Sequence, residues 1–146
     1  MRVYLDNCCY NRPFDEQTQL KVRLETEAKL CVQAMMRNGE VEYAWSDILS
    51  HEVLDNPFPP RREKILEWRH GAVCTVETTT EVISDADELA GRGLKAADAL
   101  HVASAVAAGC DYFITTDIRL LRCIRQFRAT RILNPMEFLL EVENGI

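Results

Sequence analysis

AADALHVASAVAAGCDYFITTD, residues 96–117, reads as a helix, a glycine stop, a short strand and an acid. The Ala-rich run over 96–108 favours helix, because Ala gives up no side-chain entropy in one. Gly109 ends it, and the aromatic and β-branched residues 112–115 suit a strand. Asp117 follows that strand directly.

The same alternation extends outward in both directions. Upstream, residues 2–6 form a strand ending on Asp6, with Val3 and Leu5 alternating against Arg2 and Tyr4. Asp15 is placed to cap a helix over 16–37, whose stripe is Leu20, Leu24, Ala28, Cys31 and Met35, and Gly39 closes it. A second strand at 41–45 leads through Ser46 or Asp47, as cap, into a short helix to residue 54. Prolines 57, 59 and 60 break that helix, and another runs over 60–70 with Ile65, Leu66 and Trp68 as its apolar positions. A strand at 72–76 and a helix at 80–90, stopped by Gly91 and Gly93, complete the N-terminal side. Downstream lie a helix at 117–126, a strand at 131–133 and a helix from Pro135 to about residue 142. Strands alternating with helices predict an α/β fold, three layers deep, with a central parallel sheet flanked by helices. At 146 residues, with no linker or repeat, residues 1–146 are expected to form one domain.

A formal net charge of −6 argues against a duplex-coating protein, since such binding runs on Lys and Arg. The N-terminus lacks the apolar core of a signal peptide, and no stretch is apolar enough to span a bilayer, so a cytoplasmic location without membrane attachment is expected. The six cysteines show no C-x-x-C pair and no zinc spacing with histidine, and are expected to be reduced, mostly buried thiols.

The acids carry the chemistry. Asp6 and Asp117 stand at the carboxyl ends of two strands, the edge where open parallel sheets bind ligands. Glu52 sits in the helix after the second strand and Asp98 in the first turn of the Ala-rich helix. Singly, each reads as a cap or a solvated residue. Together they would repel, by about 4 kcal/mol for two charges 4 Å apart at an effective dielectric of 20. A hard divalent cation removes that repulsion, and Mg²⁺ works through few carboxylates plus substrate phosphates.

Four motifs resemble the PIN-domain family: Val3-Tyr4-Leu5-Asp6-Asn7, Trp45-Ser46-Asp47-Ile48-Leu49-Ser50-His51-Glu52, Lys95-Ala96-Ala97-Asp98-Ala99-Leu100-His101 and Phe113-Ile114-Thr115-Thr116-Asp117. Their order and spacing cover nearly the whole chain. The resemblance implies a PIN-like fold and a metal-dependent endoribonuclease using one or two Mg²⁺ or Mn²⁺ ions. It makes Asp6, Glu52, Asp98 and Asp117 the catalytic and metal-binding acids, with Thr115 and Asn7 in support. It also implies an RNA substrate, a toxin of VapC type with an antitoxin protein partner, and a homodimer. Asn7 stands where the family often has Ser or Thr, and the fifth acid that some members carry shortly after the fourth is missing from Ile118, Arg119, Leu120 and Leu121.

Further candidates are weaker. Arg12 is placed to meet a phosphate, and Arg119, Arg122, Arg125, Arg128 and Arg131 form a stripe that suits RNA or plain solvent. His101, one turn after Asp98, reads first as a hydrogen-bonded helix residue and second as a base. The alternatives are a DNA-directed nuclease of the same fold and a nuclease-dead module that binds RNA or a partner. A phosphotransferase with an Asp-x-Asp nucleophile does not suit Cys8 at the second position after Asp6.

Overall fold

The computed structural model describes residues 1–143. Five strands, β1 (Arg2–Leu5), β2 (Glu42–Ser46), β3 (Cys74–Val76), β4 (Tyr112–Ile114) and β5 (Arg131–Leu133), form one sheet in the order β3-β2-β1-β4-β5. Every pairing is parallel, with Val3 opposite both Tyr43 and Tyr112. Val3, Tyr4 and Leu5 are wholly buried, as a central strand covered on both faces requires. The expected α/β architecture is therefore present, with helices flanking a parallel sheet.

The helices are α1 (Asn7–Asn11), α2 (Leu20–Arg37), α3 (Asp47–Leu54), α4 (Pro59–Glu67), α5 (Thr80–Ala90), α6 (Ala96–Ala107), α7 (Ile118–Cys123) and α8 (Pro135–Glu143). The chain runs from β1 through β2 to β3 on one side, then crosses back through α5 and α6 to place β4 on the other side of β1. That reversal makes a switch point between β1 and β4, with Asp6 and Asp117 just beyond it. Helix α6 packs against β2, β4 and α3, so Asp98 and His101 face the same end of the sheet.

Several boundaries differ from the sequence reading. Residues after Asp6 form α1 and a 3-10 turn, Arg12–Phe14, so the long helix begins at Leu20 rather than 16. Asp15 does not cap it: its carboxylate accepts from Arg12 Nη1 at 3.2 Å, and Gln17 holds the Arg12 and Asp15 carbonyls. The stripe of α2 is also rotated. Ala28 is buried as expected, but Leu20 and Leu24 are exposed, and the buried set continues through Glu25, Lys29, Val32, Gln33 and Met36. The helix at 60–70 stops at Glu67 and tightens to a 3-10 turn, Trp68–Gly71, while that at 117–126 ends at Cys123. Of the two proposed caps, Ser46 accepts from Leu49 N, and the Asp47 carboxylate instead accepts from Thr78 N at 3.1 Å. Gly39, Gly93 and Gly109 hold φ of 73°, 107° and 68°, a region costly to residues with a Cβ.

Candidate active site

β1 delivers Asp6 and ends there, because the Asp6 side chain turns back to cap α1. Its Oδ1 accepts from Asn7 N at 2.8 Å and its Oδ2 accepts from the Thr115 hydroxyl at 2.8 Å. The same hydroxyl accepts from Asp117 N at 3.1 Å. Thr115, wholly buried after β4, thus ties the first acid to the backbone of the last. Asn7 contributes through its main chain, since its side chain is bonded to Asn11 at 2.9 Å. Cys8 lies against the same group, with its Sγ 3.4 Å from both Asp6 Oδ2 and Thr115 Oγ1.

Asp117 caps α7 by accepting from Arg119 N and Leu120 N through Oδ1. Asp98, in the first turn of α6, lines a cleft of about 360 Å³ with Asp117, Lys95, Arg119 and Arg122. Burial, then the charges of Asp6 and Asp117, raise the Asp98 pKa, and His101 partly offsets them. Glu52 on α3 acts on Asp98 in the same direction. Asp6, Glu52 and Asp117 therefore all stand within electrostatic reach of Asp98.

Glu52 is held by His101, which the sequence presents first as a hydrogen-bonded helix residue. His101 Nε2 is 2.6 Å from Glu52 Oε1 and 3.9 Å from Asp6 Oδ1. Its Nδ1 is 2.7 Å from the Tyr4 hydroxyl, which is 2.6 Å from Ser46 Oγ. In this chain, Ser46–Tyr4–His101–Glu52, the first three members are buried and Glu52 at its end is partly exposed. Burial works against charge on His101, but the Glu52 hydrogen bond and the Asp6 and Glu52 charges outweigh it and raise the pKa. The signal in the sequence was the spacing of His101 one turn after Asp98. What could not be read there was that Tyr4 and Glu52 would meet it from two other elements.

Arg12 does not project free toward this cleft. Its guanidinium donates to Thr116 Oγ1 at 2.9 Å and to Asp15, and lies 3.8 Å from Glu25, clamping the loop after β4 to α2. The arginine stripe splits: Arg119 and Arg122 line the acidic cleft, while Arg125, Arg128 and Arg131 line another depression. Arg131 is already paired with Glu141.

The donor set suits a hard divalent cation in kind, being carboxylate oxygen throughout. Among the described residues, His101 is the one cationic side chain within 4.0 Å of any of the four acids. As their side chains are placed, the described His, Cys, Asp and Glu residues do not draw together in threes close enough to hold an ion. Asp6 is committed to Asn7 and Thr115, and Glu52 to His101, while Asp98 and Asp117 line the cleft.

No family model and no curated protein matches the chain. Among solved structures it is similar to VapBC2 from Rickettsia felis bound to a DNA fragment from the promoter, at 12% identity and a TM-score of 0.56, over 92% of this chain and 98% of that one. At that identity the likeness establishes the fold, a PIN-like arrangement of a parallel sheet between helices. No helix among the described residues is long and apolar enough to cross a membrane.

Proposed function

We propose that the chain is a Mg²⁺- or Mn²⁺-dependent endoribonuclease that hydrolyses phosphodiester bonds, with Asp6, Glu52, Asp98 and Asp117 as its acidic set. The observation that carries this reading is geometric: Asp98 and Asp117 line one cleft at the switch point of the sheet, and Thr115 ties Asp6 to the Asp117 backbone beside it. None of the four is paired with Lys or Arg among the described residues, and the cation nearest Asp6 and Glu52 is His101. One or two divalent ions held by these acids would offset the phosphate charge and make a water more nucleophilic.

The chain's own groups divide the remaining work. Thr115 orients Asp6, and His101 orients Glu52 through a ring whose far nitrogen is anchored on Tyr4. Lys95, Arg119 and Arg122 on the cleft give an otherwise acidic protein a local place for a nucleic-acid backbone. The likeness to VapBC2, a complex bound to promoter DNA, supports a toxin role with an antitoxin protein as partner. The exposed Leu20 and Leu24 of α2 offer apolar surface for that partner or for a homodimer. A cytoplasmic location belongs to the same reading.

The test is cleavage of matched single-stranded RNA and DNA with Mg²⁺, Mn²⁺ or EDTA. RNA cleavage that needs the ion and is lost in Asp98→Asn is expected. Cleavage persisting in full chelation sinks the metal requirement, preference for DNA moves the reading to the DNA-directed alternative, and no cleavage of either polymer favours the nuclease-dead module.

A further inference from the structure

A cavity of about 790 Å³ lies away from the acidic cleft, and none of the four acids lines it. Its walls come from α1, α2, β2, α4 and the 3-10 turn after α4. One polar side chain in that wall is buried without the partner that burial normally demands, beside a lysine whose whole side chain is buried. The Tyr10 hydroxyl is buried and makes no hydrogen bond among the described residues. Lys29 is 1% exposed, and its ammonium lies 5.4 Å from the Tyr10 ring centroid. Glu25, one turn earlier on α2 and the natural ion-pair partner, is turned to Arg12 instead.

Cys8, Cys9 and Tyr10 from α1 and Arg37 from its own helix lie near Lys29, and Tyr43 from β2 and Lys64 and Glu67 from α4 share the cavity wall with it. Lys29, Arg37 and Lys64 thus meet a single carboxylate in the cavity wall, in a chain whose net charge is −6. Burial holds the Lys29 pKa down at about 7. Burial also raises the Tyr10 pKa, which keeps the phenol proton available for donation. Tyr10, Tyr43 and Trp68 supply flat apolar surface beside these groups, with Arg37 4.7 Å from the Trp68 ring centroid. A compact ammonium, a phenol donor and two further cations suit a dianionic phosphate better than a single carboxylate. The volume falls within the range, roughly 300–1,000 Å³, of pockets that enclose small organic ligands.

We propose that this cavity is a binding site for a phosphomonoester of nucleotide size, its phosphate on the Lys29 ammonium and the Tyr10 hydroxyl and its flat organic part against Trp68 and Tyr43. The inference does not depend on the nuclease reading, because it uses none of that site's residues.

Calorimetry in EDTA, so that no metal-held phosphate contributes, would compare AMP, adenosine and inorganic phosphate on the full chain. AMP is expected to bind about tenfold more tightly than inorganic phosphate, and adenosine not detectably. Near pH 8.5 the ligand is already dianionic, so AMP binding should take up about one proton, as Lys29 recharges. Lys29→Met should abolish binding while melting at or above wild type, and Tyr10→Phe should weaken it. Asp98→Asn should bind AMP as wild type does, which places the ligand outside the acidic cleft. AMP no better than inorganic phosphate assigns the site to free phosphate. Absence of binding to wild type, adenosine binding equal to AMP, or full binding by Lys29→Met overturns the proposal.

Discussion

Asp98 keeps its proton more tightly than a free carboxyl because burial and its neighbours Asp6 and Asp117 disfavour the charge. Asp98→Asn removes one member of that repelling set with little change of shape. At neutral pH and without metal it should stabilise the fold on the order of 1 kcal/mol after solvent screening, a rise of about 2–4 °C in Tm. For an acid with a raised folded pKa the penalty exists where it is ionised, so the gain should fade as pH drops into the carboxylate range. A melting series that shows no gain at neutral pH counts against the convergence of the acids. His101 titrates in the opposite sense. Its folded pKa is raised, so its contribution is full below the ordinary value of about 6.5 and is lost as pH rises through the folded value. His101→Gln should therefore cost about 2 kcal/mol near pH 6 and less near pH 9, and should reduce turnover by releasing Glu52. A pH-independent cost would mean that packing alone is lost. The candidacy of the acids was legible from strand ends and motif spacing, whereas the grip of His101 on Glu52, between residues 49 positions apart, was not.

At the scale of one element, α2 shows where periodicity misleads. The leucines at 20 and 24 satisfy a helical repeat, yet the helix turns about one residue's rotation away and buries Val32 and Met36, with Glu25, Lys29 and Gln33 among them. The reason lies outside the helix: Arg12 and the cavity wall give those polar side chains an interior role, and α8 covers the neighbouring flank. Val32→Ala should therefore cost about 2 kcal/mol by leaving a cavity, while Leu24→Ala should change stability by less than about 0.5 kcal/mol. Urea unfolding of both variants decides this, and a larger loss for Leu24→Ala would restore the sequence-derived stripe. Helices α5 and α6 behaved more simply. Thr79 accepts from Val82 N, glycines end both segments, and nothing polar had to be accommodated on their buried faces beyond His101 and Ser104.

Over the whole molecule, two equilibria should report the two sites separately. Mn²⁺ should raise the Tm of wild type by mass action and raise that of Asp98→Asn less. An equal response in the two proteins would place any ion elsewhere. Lys29 governs a different window, because its folded pKa of about 7 lies below the ordinary 10.5. Across that interval the unfolded chain binds more protons at Lys29, so its contribution should rise with pH from about 7, by about 1.5 kcal/mol before thiols begin to ionise near 8.5, against the opposite loss from His101. Lys29→Met should flatten that rise, and an unchanged slope would show that folding does not lower the Lys29 pKa.

The alternation of helix and strand, the glycine stops and the placing of acids at strand ends were local properties. They follow from propensity and chain conformation, and residues 96–117 alone display all three. The strand order could not be local, since it depends on the crossover through α5 and α6 that sets β4 beside β1. That one crossover brings Thr115 onto Asp6, and α6 brings His101 between Tyr4 and Glu52. The rotation of α2 and the burial of Lys29 were likewise decided by partners far along the chain. A hydrophobic pattern records which residues prefer to leave water. Which polar groups must leave with them depends on the partners that the tertiary structure supplies.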